Sequence, residues 1–349
     1  MGEEIRLEEG DAAIPPRKRS RLRRAAPFLA AAALLLLGTG VAIWVNPLGL
    51  WRNFVRLRLS LSGLDHRTMP GPRGPISYWI GGAEGSAGPP LVLVHGLGND
   101  AGVWAQSVPA LLKEHRLIVI DLPGHGGSAP ESGPLSVSDE VAGLEALLAA
   151  QARSGPPPVL IGNSLGGWVA LIYAERHPGK VSRLILVDTG GLLYEPKVRF
   201  LVRDRNEARA FTDALLGPRI PPLPGFLLDD VAEKLQEGPA PRIFASFTRG
   251  DFLDGRLGRI AIPADLIWGS ADELFPPALG RRYARELPRA RFHLLADCGH
   301  TPQAECPKEF VDHLLWVLKE PPPGPIRDVP VEPWRDPAER PEGGETTPP

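Results

Sequence analysis

The stretch Val159-Leu160-Ile161-Gly162-Asn163-Ser164-Leu165-Gly166-Gly167-Trp168 decides how the rest of the chain is read. A short aliphatic run stops at a glycine, a serine stands between glycine-flanked positions, and helix-compatible residues continue to Arg176. That order is strand, sharp turn, helix, with G-x-S-x-G occupying the turn. Glycine is required on either side because so tight a bend leaves no room for side chains. The bend lifts the serine hydroxyl clear of the sheet. It also sets the hydroxyl at a helix N-terminus, where free N–H groups favour negative charge. Ser164 is the candidate nucleophile, and the N–H of Leu165 a candidate donor to an oxyanion.

The flanking sequence repeats the same alternation. Leu91–Val94, Leu117–Ile120, Leu184–Val187, Asp265–Trp268 and Arg291–Leu295 are short apolar runs suited to strands covered on both faces. Helix-compatible segments lie near 135–153, 165–177, 277–287 and 306–319. Strand and helix in alternation imply an α/β fold with a mostly parallel, doubly wound sheet and right-handed crossovers. Chemistry in such a sheet belongs at the carboxyl ends of the strands. Residues 190–255 break the rhythm, with helical patches near 204–216 and 227–237 and no good strand. An insertion there is expected to cap the pocket as a helical lid.

A serine hydroxyl needs an adjacent base at neutral pH. His300, in Asp297-Cys298-Gly299-His300-Thr301-Pro302, follows the last strand, and Asp272 leaves the end of the strand before it. The chain order Ser164, Asp272, His300 places nucleophile, acid and base each just beyond a strand end, with the strand Leu184–Val187 between the first two. Asp188 is the strongest rival for the acid, ahead of Asp297 and Glu273. His95-Gly96-Leu97-Gly98 ends the strand at Val94 and offers the N–H of Leu97 as a second oxyanion donor. His95 and His125 are read as loop braces rather than bases. This set calls for no cofactor and no metal, and no His/Cys cluster has metal-ligand spacing.

The formal net charge of -2 gives no sign of a polyanion partner, so nucleic-acid binding is not expected. Basic residues concentrate in Arg17, Lys18, Arg19, Arg21, Arg23 and Arg24, and the run from Phe28 to Val45 is uncharged. Residues 1–26 are therefore read as a cytoplasmic basic tail and 27–46 as a transmembrane signal anchor. A cleaved signal peptide is second, since Gly38–Ala42 is small enough for cleavage. The positive-inside bias puts the following domain on the extracytoplasmic side. Residues 47–63 read equally well as a linker or as an interfacial amphipathic helix. Residues 64–320 hold the α/β domain, and the Pro-rich segment 321–349 reads as disordered. The two cysteines, Cys298 and Cys306, are expected to be reduced thiols, with a bond between them the alternative in an oxidising compartment.

Taken in order, the His95-Gly96 loop, the Asp121–Ser128 loop, the Ser164 elbow, the Asp272 turn and the Gly299-His300 loop resemble the α/β-hydrolase superfamily. The similar branch includes lipases, esterases and carbon–carbon bond hydrolases. The resemblance implies carboxylic-ester hydrolysis through an acyl-enzyme, on a small-molecule or lipid ester such as an acylglycerol. Serine at the elbow argues against the epoxide hydrolases and dehalogenases of this branch, which carry aspartate there. Many carbon–carbon hydrolases of ring-cleavage products have tryptophan after the catalytic histidine, where this chain has Thr301. Carbon–carbon hydrolysis and a non-catalytic ligand-binding role are the alternatives.

Overall fold

The computed structural model describes Phe28 and residues 46–82, 88–152 and 155–325. The chain divides into two compact units, Met1–Pro47 and Leu48–Pro349, and the sheet and the candidate site belong to the second. The basic tail read at 1–26, and the span read at 27–46 apart from its residues 28 and 46, lie outside the described residues. Among the described residues no helix is long and apolar enough to cross a membrane.

Eight strands form one sheet: β1 Asp65–Met69, β2 Ile76–Gly81, β3 Leu91–Val94, β4 Leu117–Ile120, β5 Val159–Asn163, β6 Arg183–Val187, β7 Ala264–Gly269 and β8 Ala290–Leu295. Their spatial order is β1-β2-β4-β3-β5-β6-β7-β8. β2 runs antiparallel to both β1 and β4, and the remaining pairs are parallel. β3, β4, β5 and β6 are buried at every position, which is why they read as unbroken apolar runs. β1 is exposed along almost its whole length and carries no such run.

The helices are α1 Pro47–Leu61, α2 Val108–Leu111, α3 Val137–Ala150, α4 Leu165–Arg176, α5 Arg205–Leu215, α6 Gly225–Glu237, α7 Pro239–Phe244, α8 Pro277–Glu286, α9 Pro302–Glu305 and α10 Pro307–Lys319. α3 starts on a reciprocal cap in which Ser136 and Asp139 satisfy each other's backbone N–H groups. One large apolar cluster joins a face of the sheet to α3, α4 and α8. A second joins the other face to α1, α2 and α10, with Trp104 and Phe310 among its largest side chains. Val55 and Leu59 of α1 belong to this second cluster, so the segment weighed as linker or interfacial helix is a helix that contributes to the core. Between β6 and β7 the chain forms α5, α6 and α7, and α5 and α6 hold a small apolar cluster of their own around Ala208 and Leu228. At the far end the backbone of Pro321 and Pro323 accepts hydrogen bonds from Arg291 and Arg289, and residues from 326 onward lie outside the described residues.

Candidate active site

Ser164 sits between β5 and α4 with φ 54° and ψ -118°, a backbone conformation that costs free energy in any residue but glycine. Its own backbone holds it there: Ser164 N donates to Val187 O at 3.0 Å and Gly190 N donates to Ser164 O at 3.1 Å. A methyl group at Gly166 would collide with the carbonyl oxygens of Val94 and His95, and one at Gly162 with the backbone of Gly166. The glycines of the motif are thus set by the close approach of the end of β3 to the first turn of α4, and of that turn to the end of β5. The N–H groups of Leu97 and Leu165 have no acceptor among the described residues, and both residues line the same cavity as Ser164.

His300 lines that cavity as well. Its Nδ1 lies 2.8 Å from Asp272 Oδ2, and the other oxygen of Asp272 accepts from Phe275 N at 2.8 Å. The Phe275 ring stands edge-on to the imidazole with centroids 4.7 Å apart. Asn163, the residue before Ser164, donates through Nδ2 to His300 O at 3.0 Å and to Val187 O at 3.1 Å. One buried amide therefore couples the serine turn to the histidine loop.

Glu305 of α9 carries the rest of that loop. It accepts from Gly217 N at 2.6 Å, Gly299 N at 3.0 Å, Thr301 N at 2.7 Å and Thr301 Oγ1 at 2.8 Å. Neither Asn163 nor Glu305 stands out in the sequence as a structural tie. Glu305 stands four residues after Thr301, one beyond the spacing of a reciprocal helix cap, and no local reading can find its long-range partner Gly217. The expectation of two reduced thiols is corrected here: Cys298 and Cys306 form a disulfide across the His300 loop. Their Cα atoms lie 6.0 Å apart, within ordinary disulfide range, because Glu305 folds the loop back on itself.

Among the rivals for the acid, Glu273 is exposed and faces Lys197 at 3.7 Å, and exposed Asp297 takes no part in the cluster. Asp188 is different. It is fully buried at the end of β6 with φ 44°, accepts from Gly269 N at 2.8 Å, and lies close to both Asp272 and His300. Burial, and then the neighbouring Asp272 carboxylate, push the Asp188 carboxyl well above the usual carboxylate range. A proton retained there lets Asp188 donate to Asp272. His95 is buried, with Nδ1 2.8 Å from Gly96 O and Nε2 accepting from Leu122 N at 3.0 Å. Burial lowers its pKa, which keeps the neutral form that these two bonds require. His95 thereby links the Leu97 turn to the Asp121 loop.

The cavity lined by Leu97, Ser164, Leu165 and His300 measures about 280 Å³. Beyond the polar end its walls are Trp168, Tyr194 and the phenylalanines 200, 211, 244, 247, 252 and 275. Most of these come from the segment between β6 and β7.

The sequence over residues 91–313, which holds β3 to β8 and the strained serine turn, matches the model of the alpha/beta hydrolase family, and the chain belongs to that family. The chain is 26% identical over 253 residues to the monoacylglycerol lipase ABHD6 of Bos taurus, covering 66% of this chain and 75% of that protein. It is 31% identical over 252 residues to a pimeloyl-[acyl-carrier protein] methyl ester esterase of Chromobacterium violaceum, covering 66% and 95%. Among solved structures it resembles a bacterial membrane phospholipase A with TM-score 0.67 and 27% identity, covering 84% of this chain and 98% of the other.

Proposed function

We propose that this protein is a membrane-associated serine hydrolase that cleaves carboxylic esters, lipid esters among them, through an acyl-enzyme. The observation that supports it most directly is the convergence of Ser164, His300 and two unengaged N–H groups on one apolar cavity, with His300 tied to Asp272 at 2.8 Å.

With Nδ1–H donated to Asp272, the other imidazole nitrogen is left to accept the proton of Ser164 as the hydroxyl attacks the ester carbonyl. The N–H groups of Leu97 and Leu165 stabilise the oxyanion. His300 then protonates the leaving alcohol, and water attacks the acyl-enzyme by the same route in reverse. Asp272 stabilises the imidazolium, and neutral Asp188 adds a donor to the Asp272 carboxylate without adding a second negative charge. Tight oxyanion coordination in a dry cavity is worth about 10²–10³ in rate for one donor. The aromatic walls suit an acyl chain, and the helical segment between β6 and β7 acts as the lid that sets its length.

The uncharged run Phe28–Val45 serves as the anchor in this reading, with the domain on the extracytoplasmic side. The Cys298–Cys306 disulfide fits an oxidising compartment, and the similar monoacylglycerol lipase and membrane phospholipase fit a lipid ester. The test is labelling with a fluorophosphonate probe together with turnover of esters of graded acyl length. Wild type should label and Ser164→Ala should not, with kcat lower by roughly 10⁴-fold or more. Equal labelling of the two proteins would overturn the assignment.

A further inference from the structure

The described surface exposes few large apolar side chains, and most of them sit on one helix. Apart from Phe28, Leu193 and Leu201, they are Leu50, Trp51, Phe54, Leu57 and Leu61 of α1, each between 39% and 77% exposed. Positions 50, 54, 57 and 61 repeat at helical spacing and share one face, with Trp51 beside them. The opposite face carries Val55 and Leu59, both buried in the core. α1 is therefore apolar on two sides: one is used by the fold, and the other faces out.

What covers the outer side is indicated by charge and chain order. α1 carries no acidic residue, and Arg58 borders the stripe between Phe54 and Leu61, which suits anionic lipid headgroups. Arg52 lies on the opposite side, and Arg56 is paired with Asp100 and Asp121. The uncharged run Phe28–Val45 ends two residues before α1 begins. A contiguous apolar stripe bordered by Arg58, on a helix without acidic residues and next to a membrane-length apolar run, is the pattern of a helix lying in a bilayer interface.

A second cavity, of about 510 Å³, opens against this helix. Trp51, Arg52 and Val55 form one wall, and Lys234 and Gly238 at the end of α6 form another. Asn99, Leu215, Leu235 and Thr301 line both this cavity and the one that holds Ser164, so the two chambers adjoin across these residues. Leu48 N donates to Asp230 Oδ2 of α6 at 2.9 Å, and Arg56 reaches Asp121 at 3.2 Å, which fixes α1 to both the lid segment and the oxyanion side of the site.

We infer that the outer face of α1 rests on a lipid bilayer, and that the chamber behind it is the passage by which a lipid ester reaches Ser164. The inference rests on the ester-hydrolase reading and adds the route and the surface. A lipid entering this way keeps its polar part in the chamber beside α1, among Arg52, Lys234 and Thr301, while its acyl chain advances into the aromatic cavity.

The experiment compares the full chain with the triple variant Leu50→Ser/Phe54→Ser/Leu57→Ser. Each is given a long-chain monoacylglycerol in phosphatidylcholine–phosphatidylglycerol vesicles and, separately, a soluble p-nitrophenyl ester. The ratio of vesicle to soluble turnover should fall about tenfold or more in the variant, the effect of losing as little as one well-buried apolar side chain from the bilayer contact. Soluble turnover and fluorophosphonate labelling should stay at wild-type levels. An unchanged ratio overturns the inference. A ratio that falls together with loss of a dimer also overturns it, in favour of a second copy on this face. Loss of labelling in wild type refutes the ester-hydrolase reading instead, so the two failures are separable. Should the triple variant not fold, quenching by brominated lipid decides the matter. Wild type must show a quenched component that Trp51→Phe lacks, and identical quenching of the two overturns the inference.

Discussion

Replacing Glu305 by Gln tests whether the His300 loop is held as described. Glu305 is 8% exposed and accepts from Gly217 N, Gly299 N, Thr301 N and Thr301 Oγ1. An amide of the same shape has one acceptor oxygen and one NH₂ group. If the nitrogen faces Gly217 and Gly299, two backbone N–H groups lose their acceptor and meet a donor. If it faces Thr301, only the Thr301 N–H is stranded, because the hydroxyl can turn and accept. The second orientation costs less and sets the magnitude. One stranded buried donor costs about 1–3 kcal/mol, and loss of a charged acceptor from the remaining bonds adds about 1 kcal/mol. The sum, about 2–4 kcal/mol, corresponds to a melting temperature lower by roughly 3–7 °C in a domain of this size. Displacing His300 by a fraction of an ångström should cost kcat up to about 10²-fold, with KM little changed. Calorimetry and steady-state hydrolysis of a soluble p-nitrophenyl ester read both effects. A variant that matches wild type in melting temperature and in kcat would refute the argument that this side chain fixes the loop.

Further outcomes follow at four places, Asp188, His125, the Cys298–Cys306 disulfide and Gly166. Asp188→Asn retains a donor to Asp272 and an acceptor for Gly269 N, so its kcat should stay within about threefold of wild type, whereas Asp188→Ala, which strands Gly269 N–H, should lose about tenfold or more. The raised pKa of Asp188 means that the folded state holds its proton longer than the unfolded chain. Stability is therefore lost as pH rises out of the ordinary carboxylate range, and urea titrations of Asp188→Asn should lack that contribution. In the acid range the sign is opposite for His125, whose buried imidazole, with His95 nearby, is pushed down from 6.5 to about 3. The unfolded chain binds the proton first, so stability should fall as pH drops from about 6.5 towards 3, and pH-dependent denaturation that is flat there would count against the burial argument. Cys298→Ala/Cys306→Ala removes a cross-link of sequence separation 8 and should lower stability by roughly 2–3 kcal/mol, measured under non-reducing conditions. Gly166→Ala drives a methyl group into two backbone carbonyls that cannot move aside, and should cost about 3 kcal/mol or more or prevent folding, as read by thermal melts.

What the sequence determined by itself was local and periodic. Each buried strand of the parallel region announces itself as an aliphatic run, and Gly162 follows from a bend settled within a few residues, whereas Gly166 is demanded by the distant carbonyls of Val94 and His95. Asp272 and His300, which the structure brings to 2.8 Å of each other, were legible as a candidate pair because each leaves a strand end, where this kind of sheet puts its chemistry. β1 and β2 left weaker traces, since an exposed edge strand needs no apolar alternation and β2 reads as mixed. Tertiary structure decided the rest, because it depends on groups distant in the chain. Asn163 holds the His300 carbonyl from 137 residues away, and Glu305 reaches Gly217 across a separation of 88. Cys298 and Cys306 pair only because that carboxylate bends the loop between them. The two-sided character of α1 is likewise invisible in one dimension. Apolar residues on a helix give a count and a spacing, and only packing against the sheet separates the face that is buried from the face that stays open.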